Sequence, residues 1–228
     1  SVATVNRLGG NEQAVLFGDY ILSQALCLCN DLDLPDASRL IGDMTRQVCE
    51  GELMQVYNRQ SHDLTEGEYF EIIRRKTASL MEVCGHLGAY YAGASEPVVR
   101  AMAGYGRELG IAFQVVDDLL DIVGEPGLAG KTLGRDLDKG KMTLPVNHFM
   151  ATAKSALRRE ALMLLGDGGE DRGLKLRNLL SGGGSIDYTV KMARERIGLA
   201  CAWLDAVGES DARATLVAVA EFVVERQA

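Results

Sequence analysis

Apolar residues recur at helical spacing through most of this 228-residue chain, which contains only four prolines. Proline interrupts the interior of a helix, so a chain with so few can form long, uninterrupted helices. No stretch alternates apolar and polar residues in the way that predicts a half-buried strand. The sequence therefore predicts an all-α fold.

Local signals predict where these helices begin and end. Thr65 and Glu68 have the spacing of a capping box, and Pro97 lies in the first turn of another helix, where its missing N–H costs nothing. Glycine-rich segments predict loops over 124–140, 166–169 and 181–185. The remaining pattern predicts helices over 12–29, 36–57, 65–91, 95–123, 186–207 and 211–226. Because no linker or internal repeat interrupts them, we expect one all-α domain over residues 1–228.

Charge and composition exclude several classes of protein. The chain has 24 Lys and Arg against 32 Asp and Glu, a net charge of −8, which argues against a nucleic-acid partner. A small anionic ligand stays compatible with that charge. The start of the chain lacks the apolar core of a signal peptide, and the apolar stretch 216–224 is interrupted by Glu221 and too short to span a bilayer. The five cysteines lack zinc-ligand spacing, so we expect buried free thiols and a cytoplasmic protein.

Three carboxylates are grouped at the end of the helix predicted over 95–123. On a helix, Asp117 and Asp121 lie one turn apart on one face, with Asp118 about 100° around. Carboxylate oxygens suit Mg²⁺, which also binds phosphate oxygens. Aspartate clusters also occur on solvated helix faces, and the spacing alone fits both readings. The flanking valines and leucines favour a buried helix, in which grouped carboxylates need a cation or a polar cavity.

A glycine-rich segment with several lysines follows, over residues 130–145. Glycine allows close approach of the backbone, and Lys131 and Lys141 could pair with phosphate groups. The P-loop pattern is absent. Upstream, Lys76 and Thr77 could offer an ammonium and a hydroxyl to the same anion. An ordinary polar loop and a solvated lysine are the competing explanations.

Taken together, these motifs resemble the trans-isoprenyl diphosphate synthases, or polyprenyl synthetases. Residues 114–121 resemble the second DDxxD motif of that family, and 130–145 resemble the loop that follows it. Lys76 and Thr77 match the family's Lys-Thr pair, and segments 11–22 and 51–55 also match in order. The resemblance implies an isoprenoid-synthase-type helical bundle around a central cavity.

The resemblance also implies an activity and roles for individual residues. The family condenses isopentenyl diphosphate with an allylic diphosphate, head to tail and in trans, to give a longer polyprenyl diphosphate. Asp117, Asp118 and Asp121 would bind Mg²⁺, and Lys76, Asp117 and Lys131 would be catalytic. The substrate-binding residues would be Lys76, Thr77, Gln114, Lys131 and Lys141. A homodimer is expected, as in the family.

One departure limits this transfer. The family has a first DDxxD motif followed by two arginines, upstream of the segment that matches Thr4–Asn6, and no second copy of the motif occurs in these 228 residues. We therefore expect the chain to correspond to about the C-terminal two-thirds of a polyprenyl synthetase and to be inactive alone. A non-catalytic or regulatory subunit of a heteromeric prenyl synthase is the alternative.

Overall fold

The computed structural model describes residues 3–59, 61–124, 141–166, 169 and 171–225. Within those ranges every regular element is helical, which confirms the predicted all-α class. The α-helices are α1 (Val5–Asp31), α2 (Pro35–Tyr57), α3 (Glu66–Ile73), α4 (Ser79–Tyr91), α5 (Glu96–Val123), α6 (Leu144–Thr152), α7 (Ser155–Gly166), α8 (Arg172–Gly182), α9 (Ser185–Trp203) and α10 (Asp211–Glu225). A π-helix, Arg74–Ala78, joins α3 to α4, and a 3₁₀ turn, Leu204–Ala206, follows α9.

The chain divides into two compact units, residues 1–45 and 46–228. In the first unit, the Thr4 hydroxyl caps α1 by accepting from the backbone N–H of Arg7. Gly10 has a φ of 80° and kinks this helix. The helix begins at Val5, seven residues before the predicted start at 12. A single domain over residues 1–228 stays a prediction.

The second unit is built around α5, which packs most extensively against α4 and α9. Its first core cluster combines side chains of α3, α5, α9 and α10, and Ala112, Val115 and Val116 of α5 are completely buried in it. A second cluster joins α6, α7 and α8 around Phe149 and Leu180. These two clusters hold the carboxyl-terminal half of α5 in a fixed, largely dry setting.

Turn chemistry explains the boundary between α8 and α9, at the predicted loop 181–185. Gly184 has a φ of 71°, which favours glycine because a side chain is strained there. A Cβ on Gly183 would lie 2.6 Å from the Phe149 ring, so this residue is also confined to glycine. The chain reverses within two residues for these reasons.

The predictions for the cysteines and for the loop 124–140 have different outcomes. All five cysteines are free, as predicted, but Cys27, Cys49 and Cys84 are exposed and only Cys29 is buried, so the prediction of buried thiols is wrong for most of them. The predicted loop 124–140 lies outside the described residues after Gly124.

Candidate functional site

The capping box at Thr65 begins the segment that carries Lys76 and Thr77. The Thr65 hydroxyl accepts from the backbone N–H of Glu68 at 3.2 Å, and the Thr65 backbone N–H donates to the Glu68 carboxylate at 2.8 Å. From there the helix runs without a break to Tyr91, as predicted, except that Arg74–Ala78 widens into a π-helix. The backbone N–H of Ser79 donates to the carbonyl of Arg74, five residues earlier. Single π-turns of this kind often occur at functional sites.

Side chains of α2 hold the π-helix in place. Arg74 donates to Gln47 at 3.4 Å, and Arg75 forms an ion pair with Glu50. Arg74 and Arg75 also share Glu71, at 2.9 and 2.6 Å. The hydrogen bond from Arg74, helped by Arg75, lowers the pKa of Glu71 from 4.5 to about 2. This carboxylate is therefore ionised throughout the neutral range.

Lys76 contacts two side-chain oxygen atoms of α2. Its ammonium lies 2.8 Å from the Glu52 carboxylate and 3.2 Å from the amide oxygen of Gln55. Glu52 and Gln55 are three residues apart, which places them on one face of α2. The lysine side chain is 23% exposed, so its charge is reachable from solvent. An anion could bind there by taking over part of this contact.

A close approach of two backbones makes this geometry possible. A Cβ on Gly51 would lie 2.6 Å from the backbone nitrogen of Lys76, and a Cβ on Gly110 would lie 2.6 Å from the Cα of Ala78. Glycine at both positions lets α2 and α5 contact the π-helix directly.

A chain of hydrogen bonds connects Thr77 to the predicted metal motif. The Thr77 hydroxyl donates to Oε1 of Gln114 at 2.7 Å, and Nε2 of Gln114 donates to Oδ1 of Asp118 at 2.8 Å. Asp118 also accepts from the Tyr69 hydroxyl at 2.9 Å and forms a 2.6 Å ion pair with Lys141. Asp118 is completely buried and the Lys141 side chain is 11% exposed. Four of the predicted residues, Thr77, Gln114, Asp118 and Lys141, thus belong to one network.

The three predicted metal ligands are placed differently. Asp117 and Asp121 are partly exposed, whereas Asp118 points into the core. Among the described side chains, no group of three or more His, Cys, Asp or Glu residues has a geometry that could hold a metal ion. Asp118 is rotated by about 100° from Asp117 on the helix, and its carboxylate is taken up by Tyr69, Gln114 and Lys141. Lys131 lies outside the described residues.

The sequence did not identify Tyr69, Glu52 or Gln55 as functional residues. Tyr69 reaches Asp118 across 49 positions, and no local pattern signals such a contact. Together with Gln55 and Lys141, Tyr69 also lines a small cavity of about 20 Å³ between α2, α3 and the start of α6, roughly the room that one water molecule needs.

The amino-acid sequence is similar to those of known proteins. Residues 1–179 match the family described as polyprenyl synthetase. A short chain isoprenyl diphosphate synthase of Methanothermobacter thermautotrophicus is 33% identical over 227 residues, covering 98% of this chain and 70% of the relative. An octaprenyl diphosphate synthase of Haemophilus influenzae is 35% identical, covering 98% of this chain and 68% of the relative.

Solved structures give the same result for the fold. A decaprenyl diphosphate synthase from Rhodobacter capsulatus superposes with a TM-score of 0.91 at 32% identity, covering all of this chain and 71% of that one. A geranylgeranyl pyrophosphate synthetase from Pyrococcus horikoshii gives a TM-score of 0.88 at 32% identity, with 98% and 70% covered. Across the described residues, no helix combines the length and apolar character needed to cross a bilayer.

Proposed function

Because the chain belongs to the polyprenyl synthetase family, we propose that it catalyses the trans, head-to-tail condensation of isopentenyl diphosphate with an allylic diphosphate. The C–O bond of the allylic diphosphate breaks and the diphosphate leaves with the electron pair. The double bond of isopentenyl diphosphate supplies the electrons of the new C–C bond, and loss of a proton forms a new double bond. The product is a longer polyprenyl diphosphate.

The observation that carries this proposal is the position of Lys76 and Thr77 opposite the carboxylate turn of α5. The Lys76 ammonium is partly exposed and held only by acceptors, so a diphosphate oxygen can replace Glu52 as its partner. Lys131 would supply a second ammonium and Lys141 a further cation near the network, both on the resemblance of their motifs. The Gln114 amide links the two sides of the site through hydrogen bonds at 2.7 and 2.8 Å.

Asp117 and Asp121 are the donors that fit a divalent cation. Both carboxylates are partly exposed, on one face of the helix and one turn apart. Oxygen donors of this kind suit Mg²⁺, which when bound supplies positive charge that stabilises the departing diphosphate. Asp118 fits less well, because it is buried and already paired with Lys141 at 2.6 Å.

The surface of α1 supports a proposal about the assembly of the protein. This helix carries exposed apolar side chains, among them Leu16, Phe17 and Tyr20, at 61, 48 and 59% exposure. Apolar groups of this size on a helix face often mark a protein interface. A homodimer in the cytoplasm, without a nucleic-acid partner, is the proposed state, and analytical ultracentrifugation measures whether the protein is a dimer.

Turnover of labelled isopentenyl diphosphate with an allylic diphosphate tests the activity. The assay needs two proteins, the 228-residue chain and the same chain extended by the upstream region of a relative that carries a first DDxxD motif. We expect turnover that requires Mg²⁺ in the extended protein and none in the shorter chain. Chromatography of the products then measures their length, in which the relatives differ.

Asp117→Asn provides the matched test in the extended protein. Removing this charge should cost at least about 100-fold in turnover, since metal stabilisation of the leaving group is worth several kcal/mol. Asp187→Asn, an exposed aspartate on α9, is the control and should leave turnover unchanged. Turnover that survives Asp117→Asn would contradict the proposed role, and an extended protein without any turnover would favour the non-catalytic subunit.

A further inference from the structure

Asp118 has a setting that differs from those of its neighbours Asp117 and Asp121. It is completely buried, and at least three donors reach its two oxygens: Tyr69 at 2.9 Å, Gln114 at 2.8 Å and Lys141 at 2.6 Å. A carboxylate has about four lone-pair sites, so most of its capacity to accept is in use. A metal ion at Asp118 would have to displace the lysine and break buried hydrogen bonds. The position is built for holding protein groups.

The Asp118 carboxylate determines which way the Gln114 amide points. The oxygen and nitrogen of a glutamine amide have nearly the same shape and can exchange places by a flip. An ionised carboxylate only accepts, so the Gln114 atom that lies 2.8 Å from Oδ1 must be the nitrogen. The amide oxygen is then turned toward Thr77.

This orientation in turn determines the direction of the Thr77 hydroxyl. The Thr77 oxygen lies 2.7 Å from the Gln114 oxygen, and two oxygens at that distance require a proton between them. The proton must come from Thr77, since the amide oxygen has none. Thr77 is left with lone pairs as its free capacity, so it presents an acceptor to its surroundings and cannot donate to a phosphate at the same time.

We propose that Asp118 is a positioning residue of the prenyl-transfer site, which acts through Gln114 to orient the Thr77 hydroxyl, and that it is not a Mg²⁺ ligand. Lys141 and Tyr69 are its fixed partners. Lys141 compensates the buried charge, which would otherwise be strongly unfavourable, and Tyr69 holds the other oxygen, so the carboxylate cannot rotate. The effect of this arrangement on catalysis rests on the proposed function, but the orientation of Gln114 and Thr77 is a property of the chain alone.

The first test therefore needs neither substrate nor metal. In the 228-residue chain, the side-chain amide protons of Gln114 can be followed by ¹H–¹⁵N NMR. Asp118→Asn should move them upfield, because the charged acceptor is lost, whereas Asp117→Asn should leave them in place. Unchanged Gln114 resonances in Asp118→Asn would overturn the proposal, whatever the activity of the protein proves to be.

The second test separates positioning from metal binding in the extended protein. Asp118→Asn should lower kcat by about 10- to 100-fold, because a misplaced catalytic group costs up to that much, while the Mg²⁺ concentration for half-maximal rate stays at the wild-type value. Asp117→Asn should raise that concentration. If Asp118→Asn raises the Mg²⁺ requirement as much as Asp117→Asn does, then Asp118 is a ligand and the inference fails.

A double-variant series tests the route through Gln114. Asp118 and Thr77 are linked through this amide, so Thr77→Val combined with Asp118→Asn should lower kcat no further than the worse single change. Multiplication of the two losses would overturn the inference. Where Asp118→Asn folds poorly, Asp118→Leu/Lys141→Met removes both charges and the acceptor for Gln114, so it restores folding without restoring the orientation of Gln114.

Glu108→Gln is the matched control for lost stability. Glu108 is also a buried carboxylate of α5, 7% exposed, and it pairs with Arg196 at 3.0 Å. It lies ten residues before Asp118, about 15 Å along the helix. Glu108→Gln should destabilise the protein and leave the Gln114 resonances and the coupling to Thr77 unchanged. A Gln114 shift in this control equal to that in Asp118→Asn would mean that the signal reports stability alone, against the proposal.

Discussion

The contact between Gly51 and the π-helix leads to the sharpest prediction, because it is made by backbone atoms. A Cβ on Gly51 would lie 2.6 Å from the nitrogen and 3.0 Å from the Cα of Lys76, where ordinary contacts begin at 3.4 Å. Backbone atoms cannot rotate away as a flexible side chain does. Gly51→Ala therefore requires Lys76 to move by about 0.8 Å (3.4 − 2.6).

The expected cost has two parts. Overpacking of a tight contact typically costs about 1–3 kcal/mol in the free energy of unfolding, and replacing glycine within a helix returns about 0.5–1 kcal/mol. For a chain of this size, each kcal/mol corresponds to about 2–4 °C in Tm. The net fall in Tm should be a few degrees. The activity should fall more, since a displacement near 1 Å of a positioned group can cost about 100-fold in rate.

The assay compares two glycines of the same helix. Gly42 also lies in α2, and a Cβ there would meet nothing within 4 Å. Gly42→Ala should hold or raise Tm and leave turnover of the extended protein unchanged, whereas Gly51→Ala should lower both. Wild-type Tm and wild-type turnover in Gly51→Ala would refute the close contact and the dependence of the Lys76 position on it.

Two further changes test the surroundings of the site. The pKa of Glu71 is lowered to about 2 in the folded protein from 4.5, so the stability that its charge contributes is fully present above pH 4.5 and is lost as the pH falls toward 2. Glu71→Gln should therefore lower Tm at pH 7, by an amount that solvent screening keeps small. The difference in Tm from the wild type should vanish near pH 2, and a difference that stays constant with pH would contradict this direction of the pKa shift. The Tyr105 hydroxyl donates to the Leu216 carbonyl at 2.8 Å. Tyr105→Phe should therefore lower the free energy of unfolding by about 1 kcal/mol in a denaturant titration and leave turnover unchanged. An unaltered midpoint of the titration would exclude a contribution of this hydrogen bond to stability.

Local rules were enough to predict most of the fold. Periodicity predicted the helical class, and the Thr65 cap and the turn at Gly183–Gly184 appear where local chemistry predicted them. The π-helix at Arg74–Ala78 was not predictable in this way. The π-helix depends on contacts with Gly51 and Gly110, which are distant from it in the chain. The hydrophobic pattern of the sequence does not indicate these contacts.

The candidate site was predictable in its residue types but not in its division of roles. The motif spacing identified Asp117, Asp118 and Asp121 together as metal ligands, and it did not indicate the separate, buried setting of Asp118. That it faces a lysine 23 positions later and a tyrosine 49 positions earlier is a tertiary property. A pattern of letters cannot separate a carboxylate that holds a metal from one that holds a glutamine.

The π-helix and the carboxylate turn of α5 are therefore held together by one set of contacts. Lys76 and Thr77 belong to the π-helix, which α2 clamps through Gln47 and Glu50, and Thr77 reaches Asp118 through Gln114. Groups locked before a ligand arrives need no reorganisation during the reaction, which is the condition for strong electrostatic stabilisation of charge that develops in the transition state. It follows that changes as far apart in the chain as Gly51→Ala and Asp118→Asn should impair the same step, lowering kcat rather than the affinity for Mg²⁺. Among the carboxylates of α5, only the loss of Asp117 or Asp121 should lower the affinity for the metal.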